Sequence, residues 1–288
     1  MEGVHTQTQP QATLNQTQST EMPSSGIKVL RLRLSNMSRI ITVFAALIAF
    51  SSIGASASPV QAASSPEGSQ LLELFTSQGC SSCPPAEKWI GQITTHRDLW
   101  KRFVPVVYHV DYWDRLGWRD PFAQKAHTER QYQYAAFHQL RSVYTPGFFV
   151  DGKEWRGFFH QGTLPGPRQN TPSIKAEWDA GELRITSELP SDKVRFHATV
   201  LGFGLQTSVK RGENSGRKLA GNFVVLSHKT ADSEAQKQHE VTIQFSDKDL
   251  ASKAPRYGFA VWAQNVDSPI PLTAAGNWLP KRLFVSRP

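Results

Sequence analysis

Cysteine is scarce in this chain of 288 residues: there are two, Cys80 and Cys83. So small a number excludes a disulfide-stapled scaffold and a four-cysteine zinc centre. A long hydrophobic run is missing as well. The apolar stretch Ile40 to Ile53 is 14 residues and contains Thr42, Ser51 and Ser52, whereas a spanning helix needs roughly 20 apolar residues. Lys and Arg outnumber Asp and Glu by 32 to 24, but the two signs are interspersed, which argues against a nucleic-acid surface. The nine histidines form no close metal-binding pair. Gly202-Phe203-Gly204 lacks the third glycine of a dinucleotide loop. Gly212-Glu213-Asn214-Ser215-Gly216 misplaces its serine for a nucleophile elbow and reads as a tight turn. No internal repeat is visible.

What is present begins with a leader. Residues 1–26 are rich in Gln, Thr, Ser and Pro and have too little apolar surface to offset the entropy of ordering. Lys28, Arg31, Arg33 and Arg39 follow, then Ile40 to Ile53, then the small residues Ala55-Ser56-Ala57 and Val60-Gln61-Ala62. Basic region, apolar core and small-residue cleavage site come in the order of a secretory signal peptide. Met37 is a natural start for a signal of ordinary length, and cleavage after Ala57 or Ala62 fits equally. Residues 1–62 are thus expected to be a disordered leader plus signal peptide. The mature protein is expected in the periplasm or secreted, with no stable membrane anchor, where disulfides form and persist.

The mature chain alternates strand and helix. Leu71 to Thr76 suits a buried strand, and Ala86, Trp89, Ile90 and Ile93 follow helical spacing, with Pro84-Pro85 tolerable only in a first turn. Phe103 to Val110 is a second buried strand. Asp120-Pro121 reads as an N-cap followed by proline, opening a helix to about Leu140. Asp151-Gly152, between Phe148-Phe149-Val150 and Lys153-Glu154-Trp155, is a hairpin turn. The order is β-α-β-α-β-β over residues 68–160. A proline- and glycine-rich linker is expected at 161–172. Alternating runs at Leu183 to Ser187, Val194 to Val200, Phe223 to Leu226, Val241 to Phe245 and Tyr257 to Ala263 predict an antiparallel, sandwich-like β region over 173–288.

The chemistry concentrates at Gly79-Cys80-Ser81-Ser82-Cys83, between strand and helix. There the first sulfur meets the positive end of the helix dipole, where free N–H groups favour a thiolate. Cys80 is the expected nucleophile and Cys83 the resolving thiol. A bridge closing so short a loop adds little entropic stability, which disfavours a purely structural role. Thr145-Pro146, just before the third strand, has the layout in which thioredoxin-like proteins hold a cis proline beside their cysteines. Its expected work is to position an extended substrate by strand addition. His109 and Asp111, at the end of the second strand, are candidate modulators of the cysteine pKa values; the alternative is a hydrogen-bonded core histidine and a capping aspartate. Trp113 and Trp118 line a groove or pack in the core.

The stretches Glu73 to Ala86, His109 to Asp114 with Leu116-Gly117-Trp118, Val143 to Pro146 and Arg211-Gly212-Glu213-Asn214 resemble the secreted thioredoxin-like proteins grouped as domain of unknown function 1223. The resemblance covers about Leu71 to Trp278. It implies an α/β thioredoxin-like domain carrying a β-rich C-terminal portion, and no substrate. It also implies a helix after the fourth strand, which Gly162 to Pro172 does not suit.

The expected function is an extracytoplasmic thiol-disulfide oxidoreductase acting on proteins or small thiols and disulfides, without cofactor, metal or nucleic acid. Two alternatives stand beside it: a thioredoxin-fold interaction module without catalysis, and a copper-handling protein using Cys80 and Cys83, with or without His109, because soft thiolates select Cu(I).

Overall fold

The computed structural model describes residues 58–250 and 254–280. The leader to residue 26, the basic and apolar signal segments and Met37 lie outside the described residues. Alternation governs the first pieces of chain. In β1 (Val60–Ala63) Ala62 turns inward, while all seven residues of β2 (Gln70–Thr76) are buried, the mark of a strand covered on both faces. Because β1 is a paired strand, the folded part reaches back into residues assigned to the leader on sequence grounds. Cleavage after Ala57 would keep β1 whole, and cleavage after Ala62 would cut through it.

From β2 the chain enters α1 (Pro84–Gly91), which places both prolines in its first turn and buries Ala86 and Ile90. It returns in β3 (Phe103–His109), which is also wholly buried and parallel to β2. The helix expected from Asp120 begins only at α2 (Lys125–Phe137), with Gln124 at its N-cap and no side-chain cap. Asp120 is not the cap because its carboxylate is engaged elsewhere, as described below. The β4 (Gly147–Val150) to β5 (Lys153–Glu154) hairpin turns on Asp151 and Gly152, whose φ values of 48° and 76° are the pair of positive angles the sequence called for.

The C-terminal part contributes β6 (Ile174–Asp179), β7 (Glu182–Glu188), β8 (Lys193–Phe203), β9 (Leu205–Ser208), β10 (Lys218–Gly221), β11 (Val224–Glu234), β12 (Gln238–Gln244), the short α3 (Asp247–Leu250), β13 (Arg256–Asn265) and β14 (Pro271–Leu279). Five of these strands lie where the alternation places them; β6, β9, β10 and β14 are additional. An eight-stranded mixed sheet runs β14-β13-β8-β11-β3-β2-β4-β5, and a four-stranded antiparallel sheet runs β1-β6-β7-β12. The described part of the protein is therefore β-rich, with few helices.

Residues 161–172 contain no regular element. The strands on either side of them nevertheless join one sheet through β3 and β11, which pair in parallel at Val107 and Val224. Where a helix would follow the hairpin there is a single 3-10 turn at Gly157–His160. The C-terminal strands extend the first sheet and carry the second one. Ile174, Trp178, Ile185 and Ile243 of the small sheet pack with Phe196, Phe259 and Val261 of the large one, a sandwich core.

Candidate functional site

The carboxyl ends of parallel β2 and β3 share a rim. Because β4 is antiparallel to β2, with Gly147 opposite Phe75, its beginning lies on that rim as well. Three loops therefore converge: Ser77 to Cys83 after β2, Val110 to Gln124 after β3, and Tyr144 to Pro146 before β4. Cys80 and Cys83 are joined as a disulfide with Cα atoms 5.5 Å apart. The Thr145 to Pro146 peptide is cis, and the Thr145 carbonyl oxygen lies 3.8 Å from Cys80 Sγ. Trp113 fixes that segment by donating its indole N–H to Thr145 Oγ1 at 2.8 Å, and Gln131 of α2 donates to the Tyr144 carbonyl at 2.7 Å. Trp113 is half-buried, and its Cβ would stand 3.1 Å from a Cβ added at Gly79. A side chain at Gly79 would crowd the two loops, and Trp113 would have to give by a few tenths of an ångström.

A nucleophilic sulfur works best where a substrate can reach it. Both cysteines are instead fully buried, and only Ser81 and Ser82 of the turn are exposed. The segment dismissed as a tight turn is fastened onto this turn. It is the tip of an arm formed by β9 and β10, which pair only with each other. The buried Asn214 amide donates to the carbonyls of Gln78 and Cys80, each at 2.9 Å, and its oxygen accepts from Arg217 at 2.6 Å. The exposed Glu213 accepts the Ser81 N–H at 2.9 Å, and hydrogen bonding from Ser81 holds its carboxyl below the usual range. Local patterning could not have found these contacts, which join residues 132 to 136 positions apart.

His109 and Asp120 form a second layer below the turn. The His109 Nδ1–H donates to Asp120 Oδ2 at 2.7 Å, and the same oxygen accepts the Gln78 N–H at 2.7 Å. Burial alone would lower the His109 pKa, but the charge and hydrogen bond of Asp120, with Glu87 adding to them, carry it above its ordinary value. For Asp120 burial works upward and is outweighed by His109, so the carboxyl sits low. Each partner thus favours the charged form of the other, and the pair reaches the cysteines through the backbone two residues before Cys80. Glu87 of α1, which is buried, accepts from Thr76 Oγ1 at 2.7 Å; desolvation raises its pKa against the pull of His109.

Asp111 faces the other way. Its N–H and carboxylate both bond the Thr128 hydroxyl of α2, at 3.1 and 2.6 Å. Trp118 is half-buried and donates to the Gln78 side chain at 3.2 Å. Asp120, Glu87, Glu213 and Asn214 are thus the site residues that sequence reasoning passed over. The only sequence signal was the membership of Glu213 and Asn214 in a recognisable motif. Among the described residues no group of three or more His, Cys, Asp and Glu side chains is arranged to hold a metal, and His109 Nδ1 is committed to Asp120. No helix among the described residues is long and apolar enough to cross a membrane.

The family described as Protein of unknown function (DUF1223) matches residues 71–264. No curated protein matches the chain. Among solved structures, protein AGR_C_4864 from Agrobacterium tumefaciens is similar at a TM-score of 0.54 and 26% identity, covering 77% of this chain and 97% of that one. HBP35 of Porphyromonas gingivalis aligns over 74% of this chain and 76% of its own at 16% identity, with a TM-score of 0.43.

Proposed function

The chain belongs to the DUF1223 family of proteins of unknown function, and we propose that it is a thioredoxin-like thiol-disulfide exchange protein working outside the cytoplasm. One observation carries this reading: Cys80 Sγ lies 3.8 Å from the backbone carbonyl of Thr145. An attacking sulfur and the edge of a substrate-binding segment therefore share one rim. Cys80 attacks a partner disulfide, forming a mixed bond and releasing one partner sulfur; Cys83, from the start of α1, opens that mixed bond by attacking Cys80, and the Thr145-Pro146 backbone seats an extended peptide by strand addition. His109 and Asp120 hold Gln78 and with it the approach to Cys80. Exchange requires the turn at Ser81-Ser82 to be released from Glu213 and Asn214, since both sulfurs are covered in the closed arrangement.

Cys83→Ser leaves Cys80 without its resolving partner, so a mixed disulfide with an oxidised substrate peptide should accumulate on Cys80, visible as a mass increase reversed by dithiothreitol. Absence of any adduct, with the native pair inert to thiol buffers, would sink the reading. Burial of both cysteines favours a second reading, a scaffold in which the pair is a static clasp. That reading predicts that the reduced protein is not alkylated until it unfolds.

A further inference from the structure

Thiolate stabilisation at the start of a helix depends on backbone N–H groups that are free to point at the sulfur. In this chain those donors are nearly all removed. Pro84 and Pro85, the first two residues of α1, have no N–H. The next two, Ala86 and Glu87, donate to the Cys83 carbonyl at 2.9 and 3.1 Å. Cys83 N–H donates to the Cys80 carbonyl at 3.3 Å, and Cys80 N–H to the Ser77 carbonyl at 3.1 Å. The Ser81 N–H, between the two cysteines, is taken by the Glu213 carboxylate. That leaves the Ser82 N–H as the turn's remaining donor, beside the Ser82 hydroxyl 3.3 Å from Cys80 Sγ.

Two other neighbours act in the same direction, against the Ser82 hydroxyl and the Arg217 guanidinium that bonds Asn214. The Thr145 carbonyl presents a partial negative charge to Cys80 Sγ, and Glu213 adds a full one at the adjoining residue. Both cysteines are fully buried, and burial penalises a thiolate while leaving a neutral disulfide undisturbed. A couple is a strong oxidant when its reduced form is stabilised; this environment does the reverse.

We propose that the arm tip Arg211 to Arg217 biases the Cys80–Cys83 couple toward its disulfide, with Glu213 as the positioning residue, so that the reduced protein is an electron donor to disulfides in partner proteins. The proposal rests on the exchange reading above and adds its direction. In the forward step the Cys80 thiolate attacks a partner disulfide, forming a Cys80–partner bond and releasing one partner sulfur, which takes up the proton Cys80 gave up. The Cys83 thiol then loses its proton and attacks Cys80 Sγ, the mixed bond breaks, and the second partner sulfur leaves as a thiol. Two electrons have passed: the partner disulfide is reduced to two thiols, and Cys80–Cys83 is oxidised. A donor protein of the dithiol class must reduce the pair again.

The test equilibrates the full chain and its Glu213→Gln and Glu213→Ala variants with dithiothreitol redox buffer at pH 8.5, where thiolate stabilisation enters the equilibrium. The reduced fraction is read by alkylation and mass. Glu213→Gln removes the charge and keeps an acceptor for Ser81, and should shift the equilibrium toward the dithiol by about fivefold, about 20 mV for a two-electron couple. Glu213→Ala also frees the Ser81 N–H and should shift it further. In both, the pH midpoint for alkylation of Cys80 should move down while the alkylation rate well above that midpoint stays unchanged, whereas a merely structural loosening of the arm would expose the sulfur and raise that rate as well. Unchanged equilibrium and midpoint in both variants, with Cys83→Ser still trapping substrate, would overturn the bias and leave the exchange reading standing. Failure of Cys83→Ser to trap anything would overturn both.

Discussion

The two cores of this protein are built on different terms. The sandwich core between the small sheet and β8, β13 and β14 is apolar: Ile174, Trp178, Ile185, Phe196, Phe259 and Val261 fill it. The core beneath α1 and α2 admits charge. Glu73, Arg130, His109, His127 and Asp120 are all buried there, among Tyr108, Tyr134 and Trp262. A buried ion pair is weak support for stability, because desolvation offsets most of its attraction. Apolar burial carries no such desolvation cost, so the charged core is better understood as fixing positions. Arg130 of α2 donates to Glu73 of β2, and so does the Tyr134 hydroxyl. Asp120 ties the β3 end to the turn carrying Cys80.

The sharpest way to break that contrast is to remove one member of the buried pair. Arg130→Met strands the Glu73 carboxylate and should lower unfolding stability by about 4 kcal/mol, read by urea denaturation. Adding Glu73→Leu should recover most of the loss, because no uncompensated charge remains. If the double variant were as unstable as the single one, the pair would be a net source of stability and the two cores would not differ in kind.

Acid should separate the cores next. His127 Nδ1–H donates to the His109 carbonyl at 2.9 Å, and its Nε2 has no partner among the described residues. Protonation would put a charged N–H at a buried point with no acceptor. Burial therefore lowers the His127 pKa to about 4, only partly countered by the His109 carbonyl. Its folded value lies below its unfolded one, so the unfolded chain binds more protons between pH 6.5 and about 4, and stability falls on acidification through that window by up to about 3 kcal/mol. His127→Asn keeps a donor for the His109 carbonyl and cannot titrate, so its loss over this range should be smaller. The Glu87 pKa is raised and acts in the opposite direction, but equally in both proteins. Identical pH profiles would remove His127 from the account.

The sequence revealed what short-range pattern controls. Helical spacing placed α1, continuous apolar runs placed β2 and β3, and Asp151-Gly152 placed the β4–β5 hairpin. It failed where distant groups decide. Asp120 before Pro121 has the form of a helix cap, and its Oδ1 does accept the Phe122 N–H at 2.9 Å; the other oxygen is drawn to His109 and Gln78, and the helix starts later. Asn214 lies in a turn, as its neighbours suggested, but its side chain serves residues more than 130 positions away. The glycine- and proline-rich stretch before β6 gave no sign that the strands on either side would share a sheet. Ile174, Ala176 and Trp178 alternate inward along β6, a period-two pattern as plain as that of the strands the sequence marks.

The smallest effect belongs to the apolar core. Ile185, fully buried on β7, faces the sandwich interior. Ile185→Val deletes one methylene where no polar partner is left unsatisfied, and should cost about 1 kcal/mol with the denaturant slope unchanged. The same urea titration that reads Arg130→Met reads this variant. A loss comparable to that of the charge deletion would mean that this core, and not only the one under the helices, depends on a single exact arrangement. A loss near the transfer value leaves the division intact: shape is forgiving where only surface is buried, and unforgiving where buried charges hold the approach to the cysteine turn.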